Sequence, residues 1–198
     1  MTREHKLKTP LRREDVTRLR VGDTLYVSGE VFTSRDRTQR LIVESKNMGK
    51  IPFSLEGLIE YHAGPIVRRK NSQWEIVSLG PTTSFRMEVS EYDFIKETGI
   101  AGVIGKGGMG ERTREACKEF KVFYGILPGG AAAFLSKKVE HILGVYWLEE
   151  LGIPEAMWHL KVKDLGPIIV AIDSSGNDIY DSLRERVDRN LSILLKEV

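Results

Sequence analysis

Residues 100–127 read IAGVIGKGGMGERTREACKEFKVFYGIL, and this stretch decides the fold class. The apolar run 100–104 has the length and content of a buried strand, and the glycine cluster Gly105 to Gly110 interrupts it. Glu111 to Phe120 then reads as a helix, and 121–127 (KVFYGIL) as a further strand. Strand, glycine-rich turn, helix and strand in that order make a βαβ unit, which requires a parallel pair.

Working outward from this unit, Trp74 to Leu79 reads as a strand that runs directly into Gly80-Pro81-Thr82-Thr83-Ser84. Ser90 is placed to cap a short helix over Glu91 to Thr98, ended by Gly99. Further upstream, Arg12 to Arg20 suggests a short helix, 24–33 (TLYVSGEVFT) a strand with a break at Gly29, and Leu41-Ile42-Val43 another short strand. The basic run Arg68, Arg69, Lys70 reads as a solvated turn between strands.

Downstream, Ala131 to Lys138 predicts a helix, Val139 to Leu148 contains a strand, and Ile168 to Ile172 is a central buried strand. Residues 181–197 form an amphipathic helix with Leu183, Val187, Leu191 and Leu194 or Leu195 along one stripe. The early part is strand-rich and the later part α/β, so the expected architecture is a layered α/β domain with a mixed sheet. One domain is expected over 1–198, with 1–20 as a lead-in and 181–198 as a closing helix.

Hydrophobic residues at 41% and charged residues at 29% are the balance of an ordinary globular chain. Thirty Lys and Arg against 28 Asp and Glu give a formal charge of +2, too little to recruit nucleic acid or an acidic membrane. No apolar stretch approaches the roughly 20 residues of a membrane span, and the N-terminus lacks a signal peptide's apolar core, so a cytoplasmic address is expected. Cys117 is the only cysteine, which excludes an internal disulfide and a cysteine-ligated zinc or iron–sulfur site. His5, His62, His141 and His159 are scattered and read as structural or surface residues, and no metal site is predicted.

Three polar segments stand out. Gly105-Lys106-Gly107-Gly108-Met109-Gly110 satisfies G-x-G-x-x-G, yet the acidic residue that would hold a ribose is missing after the next strand. What remains is a lysine among glycines at a helix N-terminus, a place that favours anions such as a small carboxylate. Gly80 to Met87 ends a strand in three consecutive hydroxyls, Thr82, Thr83 and Ser84, followed by Arg86. Ser34-Arg35-Asp36-Arg37 follows another strand and offers a guanidinium for a planar carboxylate, with a neighbouring acid to steady it.

Taken together, SGEVFTSRDR, GPTTSFRM, GVIGKGG, LPGGAAAFLSKKV, EELGIPEAMWHLKV and VAIDSSGNDIY, running in this order from about residue 21 to 180, resemble the beta subunit of class I iron–sulfur fumarases and tartrate dehydratases. The resemblance implies a three-layer β/β/α swivelling domain docked on an alpha subunit, or on an N-terminal domain of the same chain, that carries a four-iron four-sulfur cluster. It also implies that Arg35, Arg86 and Lys106 bind the substrate, that Thr82 is the catalytic base, and that Asp36, Thr83, Gly105 and Gly107 support them. A hydro-lyase acting on a small dicarboxylate follows, with fumarate and malate as its first candidates and tartrate as the alternative. A nucleotide-binding domain and a non-catalytic dicarboxylate-binding module stand behind these. The chain departs from the family after Arg35-Asp36, where two small residues and a histidine are common and this sequence has Arg37-Thr38-Gln39. The missing imidazole and added cation bear on substrate choice.

Overall fold

A computed structural model describes residues 3–45, 51–71 and 73–195. In chain order the elements are β1 (Glu4–Lys8), α1 (Arg13–Thr17), β2 (Thr24–Ser34), α2 (Asp36–Ser45), β3 (Ile59–His62), β4 (Ile66–Lys70) and β5 (Gln73–Ser78). A 3₁₀ turn (Ser84–Met87) leads into α3 (Glu88–Thr98), followed by β6 (Gly102–Gly105), α4 (Glu111–Phe120), β7 (Phe123–Ile126) and α5 (Ala132–Ser136). The chain continues through β8 (Val139–Tyr146), α6 (Leu148–Leu151), β9 (Met157–Ile172) and α7 (Asp181–Leu194).

The strand–helix–strand unit read from 100–127 is present as β6, α4 and β7, and its two strands pair in parallel. Gly102 lies opposite Phe123, and a Cβ there would come within 2.3 Å of the phenyl ring. The parallel set extends as β2–β3–β6–β7. The 16-residue β9 then runs antiparallel to β7 near its own end and to β2 along most of its length. Pairing therefore returns from β7 through β9 to β2, which closes the five strands into a circuit. β1 adds to the edge of β2 and β8 to the edge of β9, while β4 and β5 form a separate hairpin.

The period of two sorts side chains between two cores. Val31, Ile104, Phe123 and Val170 join the core inside the circuit, whereas their neighbours Phe32, Val103, Tyr124 and Ala171 join a second core that includes residues of α2, α3 and α4. Two strand faces across the first core and helices over the second give the β/β/α layering, with a mixed sheet.

Several expectations change. Leu41-Ile42-Val43 lies in α2 rather than in a strand; only Ile42 is buried, as a helical face requires and a central strand would not. Ser90 sits inside α3, which grows directly out of the 3₁₀ turn. The run Arg68 to Lys70 belongs to β4, where Arg68 Nε donates to Glu75 Oε2 at 2.7 Å across the hairpin. The Ile168 to Ile172 strand begins 11 residues earlier than its apolar run, at Met157. In α7 the stripe Leu183, Val187 and Leu191 is exposed.

Gly166 and Pro167 sit where the β2–β9 register shifts between the pairs Leu25–Ile168 and Val27–Leu165. The bulge absorbs a residue without a backbone donor. Gly166 has φ +154, and a Cβ would lie 2.5 Å from the Leu25 carbonyl oxygen. Gly166→Ala should therefore cost at least about 2 kcal/mol, from strain plus backbone collision, or a melting temperature lower by roughly 4–8 °C. Gly152→Ala, at φ +76 with no atom within 4 Å, carries the strain alone. Thermal unfolding of the two variants should show the larger loss at Gly166.

Candidate active site and the buried cluster behind it

The parallel strands β2, β3 and β6 end on one edge, and the candidate residues leave from there. At the end of β2, Arg35 points toward the loop before β9, with Nε 3.3 Å from Glu155 Oε1 and Nη1 donating to the Pro154 carbonyl at 3.3 Å. Gly64 makes room for it, because a Cβ there would lie 2.9 Å from Nη1. After β3 the chain makes the β4–β5 hairpin and returns, and the Thr82 N–H donates to the His62 carbonyl at 2.7 Å. The 3₁₀ turn folds Arg86 back so that Nη2 donates to Thr82 Oγ1 at 3.1 Å and lies 3.1 Å from Asp36 Oδ2.

Lys106 follows β6 and pairs with this segment: its N–H donates to Ser84 Oγ at 3.1 Å, and the Ser84 N–H donates to its carbonyl at 3.1 Å. Thr83 forms an isolated parallel bridge with Lys106. Gly105 is obligatory, since a Cβ would stand 1.7 Å from Ser84 Oγ. Gly107 adopts φ +80 in open space. Thus Arg86 touches both Asp36 and Thr82, Lys106 is paired to the same segment, and Arg35 adjoins Asp36. A guanidinium and a hydroxyl in hydrogen-bond contact, beside a second guanidinium and a lysine, can clamp carboxylates and withdraw charge from the hydroxyl oxygen.

The N-terminus of α4 is already taken. The Glu88 carboxylate accepts from the Gly110 N–H at 2.8 Å and the Thr113 N–H at 3.3 Å, and also from the Thr113 hydroxyl. An internal carboxylate thus occupies the helix N-terminus where a dinucleotide pyrophosphate would sit, which counts against the nucleotide reading. The 340 Å³ cleft nearest the clamp is lined by Asp36, Arg40, Val43, Arg86, Val89 and Asp93 among others.

Behind the site lies a group that the sequence reading missed. Glu60 and His62 alternate with Ile59 and Tyr61 on β3, and with Glu91 of α3 and Gln39 of α2 they are wholly buried. His62 Nε2 lies 3.0 Å from Glu91 Oε2 and 3.4 Å from Glu60 Oε2. Gln39 Nε2 donates to Glu60 Oε1 and to Glu91 Oε2, both at 2.9 Å, and Ser90 donates to Gln39 Oε1 at 2.6 Å. That orientation of the amide is forced, since the reverse would set its oxygen against two carboxylates. Among the described residues Glu60, His62 and Glu91 are the one trio with metal-ligand groups gathered within 4.8 Å. The Gln39 amide fills the place a cation would take.

Gln39 is therefore a buried partner of this cluster and does not face the edge that carries Arg86 and Thr82, so any effect it has there is indirect. Arg37 turns its guanidinium to the Glu150 carbonyl at 3.3 Å. His62 is structural but not inert. The apolar setting of Glu60-x-His62 on β3 was the available signal, because two ionisable groups on one buried strand face need partners.

Two carboxylates and an imidazolium leave one net negative charge in the interior, which is costly. Burial and the neighbouring Glu60 charge push Glu91 up to about 7. Burial also opposes ionisation of Glu60, but His62 and Gln39 hold it below the usual carboxylate range. Burial disfavours the imidazolium, yet Glu91 and Glu60 together raise His62 to about 10.

Residues 1–183 match the family model described as Fumarase C-terminus. The chain belongs to this family. The L(+)-tartrate dehydratase subunit beta of Escherichia coli (strain K12) is 47% identical over 173 residues, which cover 87% of this chain and 85% of that one. A protein of Methanocaldococcus jannaschii, provisionally named as the same subunit, is 45% identical over 186 residues, covering 93% and 95%. A protein of Geobacillus stearothermophilus, provisionally named class I fumarate hydratase, is 39% identical over 187 residues, covering 94% of this chain but 35% of that one. The family's iron–sulfur chemistry finds no ligand set here. The single thiol, Cys117, is buried in the second core, where burial above all pushes its pKa up and keeps it protonated.

The cluster makes stability depend on pH with a definite sign. A folded-state pKa of about 7 for Glu91 against an ordinary glutamate value of 4.5 means that its cost to the folded state grows as pH rises from about 4.5 and is complete above about 7. His62 adds stability that is full below its unfolded value near 6.5 and is lost as pH rises through about 10. Glu91→Gln removes the first effect and leaves only the Glu60 share of the second. Its melting temperature should fall less than that of the natural chain between pH 5 and pH 7.5, and parallel profiles would show that Glu91 does not take up the extra proton.

Proposed function

We propose that this chain is the beta subunit of a hydro-lyase that reversibly adds or removes water on a small dicarboxylate. A cluster-bearing alpha subunit would complete the active site in the cytoplasm. The observation that carries the reading is the contact of Thr82, Arg86 and Asp36 beside Arg35 and Lys106 at one edge, in a chain 47% identical to a tartrate dehydratase beta subunit. A hydroxy dicarboxylate needs cations for its carboxylates and a base for the proton on the carbon next to the hydroxyl. Arg35 and Arg86 suit the first need with their planar two-pronged donors, and Lys106 brings a mobile charge to the same edge. Thr82 suits the second: its oxygen accepts from Arg86, which stabilises the alkoxide that a threonine base requires.

In this reading the four-iron four-sulfur cluster belongs to the partner, and the residues of this chain bind, orient and receive a proton. Fumarate hydration and tartrate dehydration fit the same clamp. The higher identity to the tartrate dehydratase subunits, 45% and 47% against 39%, favours tartrate as the second reading.

Co-expression with a cluster-bearing partner under anaerobic conditions, followed by assays on fumarate, malate and tartrate, should give activity only when both chains are present. A stoichiometric iron–sulfur absorption band from this chain alone would overturn the division of labour. Within the active complex, Arg86→Lys keeps the charge but loses the two-pronged grip. It should lower kcat/KM by roughly 30- to 150-fold, or about 2–3 kcal/mol. The Arg86–Asp36 pair is partly exposed, so the melting temperature should move little. Unchanged activity would remove Arg86 from the site.

A further inference from the structure

We propose that the buried cluster Gln39–Glu60–His62–Glu91 is a positioning device for the substrate edge, acting on Lys106 through the Ser84 hydroxyl. The inference rests on the site described under Proposed function. Each candidate residue is joined to the cluster by a short path. The Gln39 N–H donates to the Arg35 carbonyl at 2.9 Å, and the Thr82 N–H donates to the His62 carbonyl at 2.7 Å. His62 Nδ1 lies 2.9 Å from Ser84 Oγ, which accepts the Lys106 N–H at 3.1 Å. Ser90, in the first turn of α3 beyond Arg86, donates to Gln39 Oε1.

The path from Glu91 to Lys106 has no slack. Glu91, His62 and Ser84 are fully buried, and the absent Cβ of Gly105 is what admits Ser84 Oγ and His62 Nδ1, 1.7 Å and 3.1 Å from where it would stand. Stability alone does not explain such a group, because buried ionic clusters often contribute no more than apolar residues of like volume. Hydrogen bonds add direction: they fix the rotation of the imidazole, hence the place of the hydroxyl, hence the backbone at Lys106. An apolar contact would hold β3 against α3 equally well and leave the Lys106 turn free to shift.

The test compares Glu91→Leu, which fills the space without hydrogen bonds, with Glu91→Gln, which keeps the shape and restores donors and acceptors. In the complex with the cluster-bearing partner, Glu91→Leu should lower kcat/KM on the order of ten- to a hundredfold, the scale of a small misplacement of a clamp, and Glu91→Gln should stay within about threefold of the natural chain. In the full chain alone, Glu91→Leu should speed hydrogen exchange of the Lys106 amide at least about tenfold under conditions where global stability is matched, and Glu91→Gln should not. Unchanged Lys106 exchange in Glu91→Leu overturns the proposal, as does an equal loss of activity in both variants. Should Glu91→Leu fail to fold, Ser84→Ala replaces it, with the prediction that kcat/KM falls about tenfold or more while the imidazole signals of His62 shift; unchanged values overturn the proposal. The exchange measurement needs neither substrate nor partner. A complex inactive on all three acids would therefore count against the functional reading and leave the positioning role separately decided.

Discussion

The antiparallel pairing of β9 with β2 is the constraint on which the rest depends. Without it, β2, β3, β6 and β7 would be an open parallel sheet with exposed edges; with it, five strands close on a shared interior. Closure commits every circuit strand to two buried faces, which is why Val31 and Phe32, or Phe123 and Tyr124, enter different cores one residue apart. It also brings the loop before β9 to the end of β2, so that Glu155 and Pro154 meet Arg35 across 119 and more positions of sequence. The bulge at Gly166 and Pro167 lets one long strand serve β2 while turning from β8 to β7.

The second core carries an unusual load for an interior. Gln39, Glu60, His62 and Glu91 place ionisable and amide groups where α2 and α3 cover β3, among Phe32, Phe94 and Val103. A wholly buried charge is tolerated only when paired and hydrogen-bonded, and here the proton that Glu91 takes up as pH falls below about 7 and the charge on His62 bring the sum to zero. The group costs design freedom in return for direction, as Gly105 shows: a residue that could have been any small side chain in a looser fold has no alternative once Ser84 and His62 are at hydrogen-bond distance.

Much of this was legible in the sequence where the signals are local. Glu111 to Phe120 is a helix from its first residue to its last, because Gly110 and the turn at Lys121 bracket it. The two strands of the βαβ unit needed only apolar content and glycine punctuation. Long-range partners defeated the reading elsewhere. Leu41-Ile42-Val43 has strand composition, but tertiary packing buries Ile42 alone and makes it a helical face. The first half of β9 alternates Leu160, Lys161, Val162 and Lys163, a half-buried pattern that is weaker to the eye than the apolar run at its end. In the candidate site, hydroxyls and cations announced themselves as strand-end motifs. The cluster behind them did so only through Glu60-x-His62, since its members come from positions 39, 60, 62 and 91 and only the folded chain shows that they meet.

The cations at the edge are not equivalent. Arg35 has Glu155, and Arg86 has Asp36 and Thr82, so both guanidinium groups are held in a defined orientation by carboxylates of the chain itself. Such partly exposed pairs contribute little to stability, and under the proposed function a substrate carboxylate would replace an internal one at small cost while finding the guanidinium already ordered. Lys106 makes no ion pair among the described residues. Its backbone is fixed by Ser84, and its stem passes over Gly129, where an added Cβ would lie 3.5 Å from Cδ. Under the proposed function, a fixed root and an ammonium without an ion pair would suit the cation that follows charge as it develops, whereas the two guanidinium groups would hold still the carboxylates that do not change.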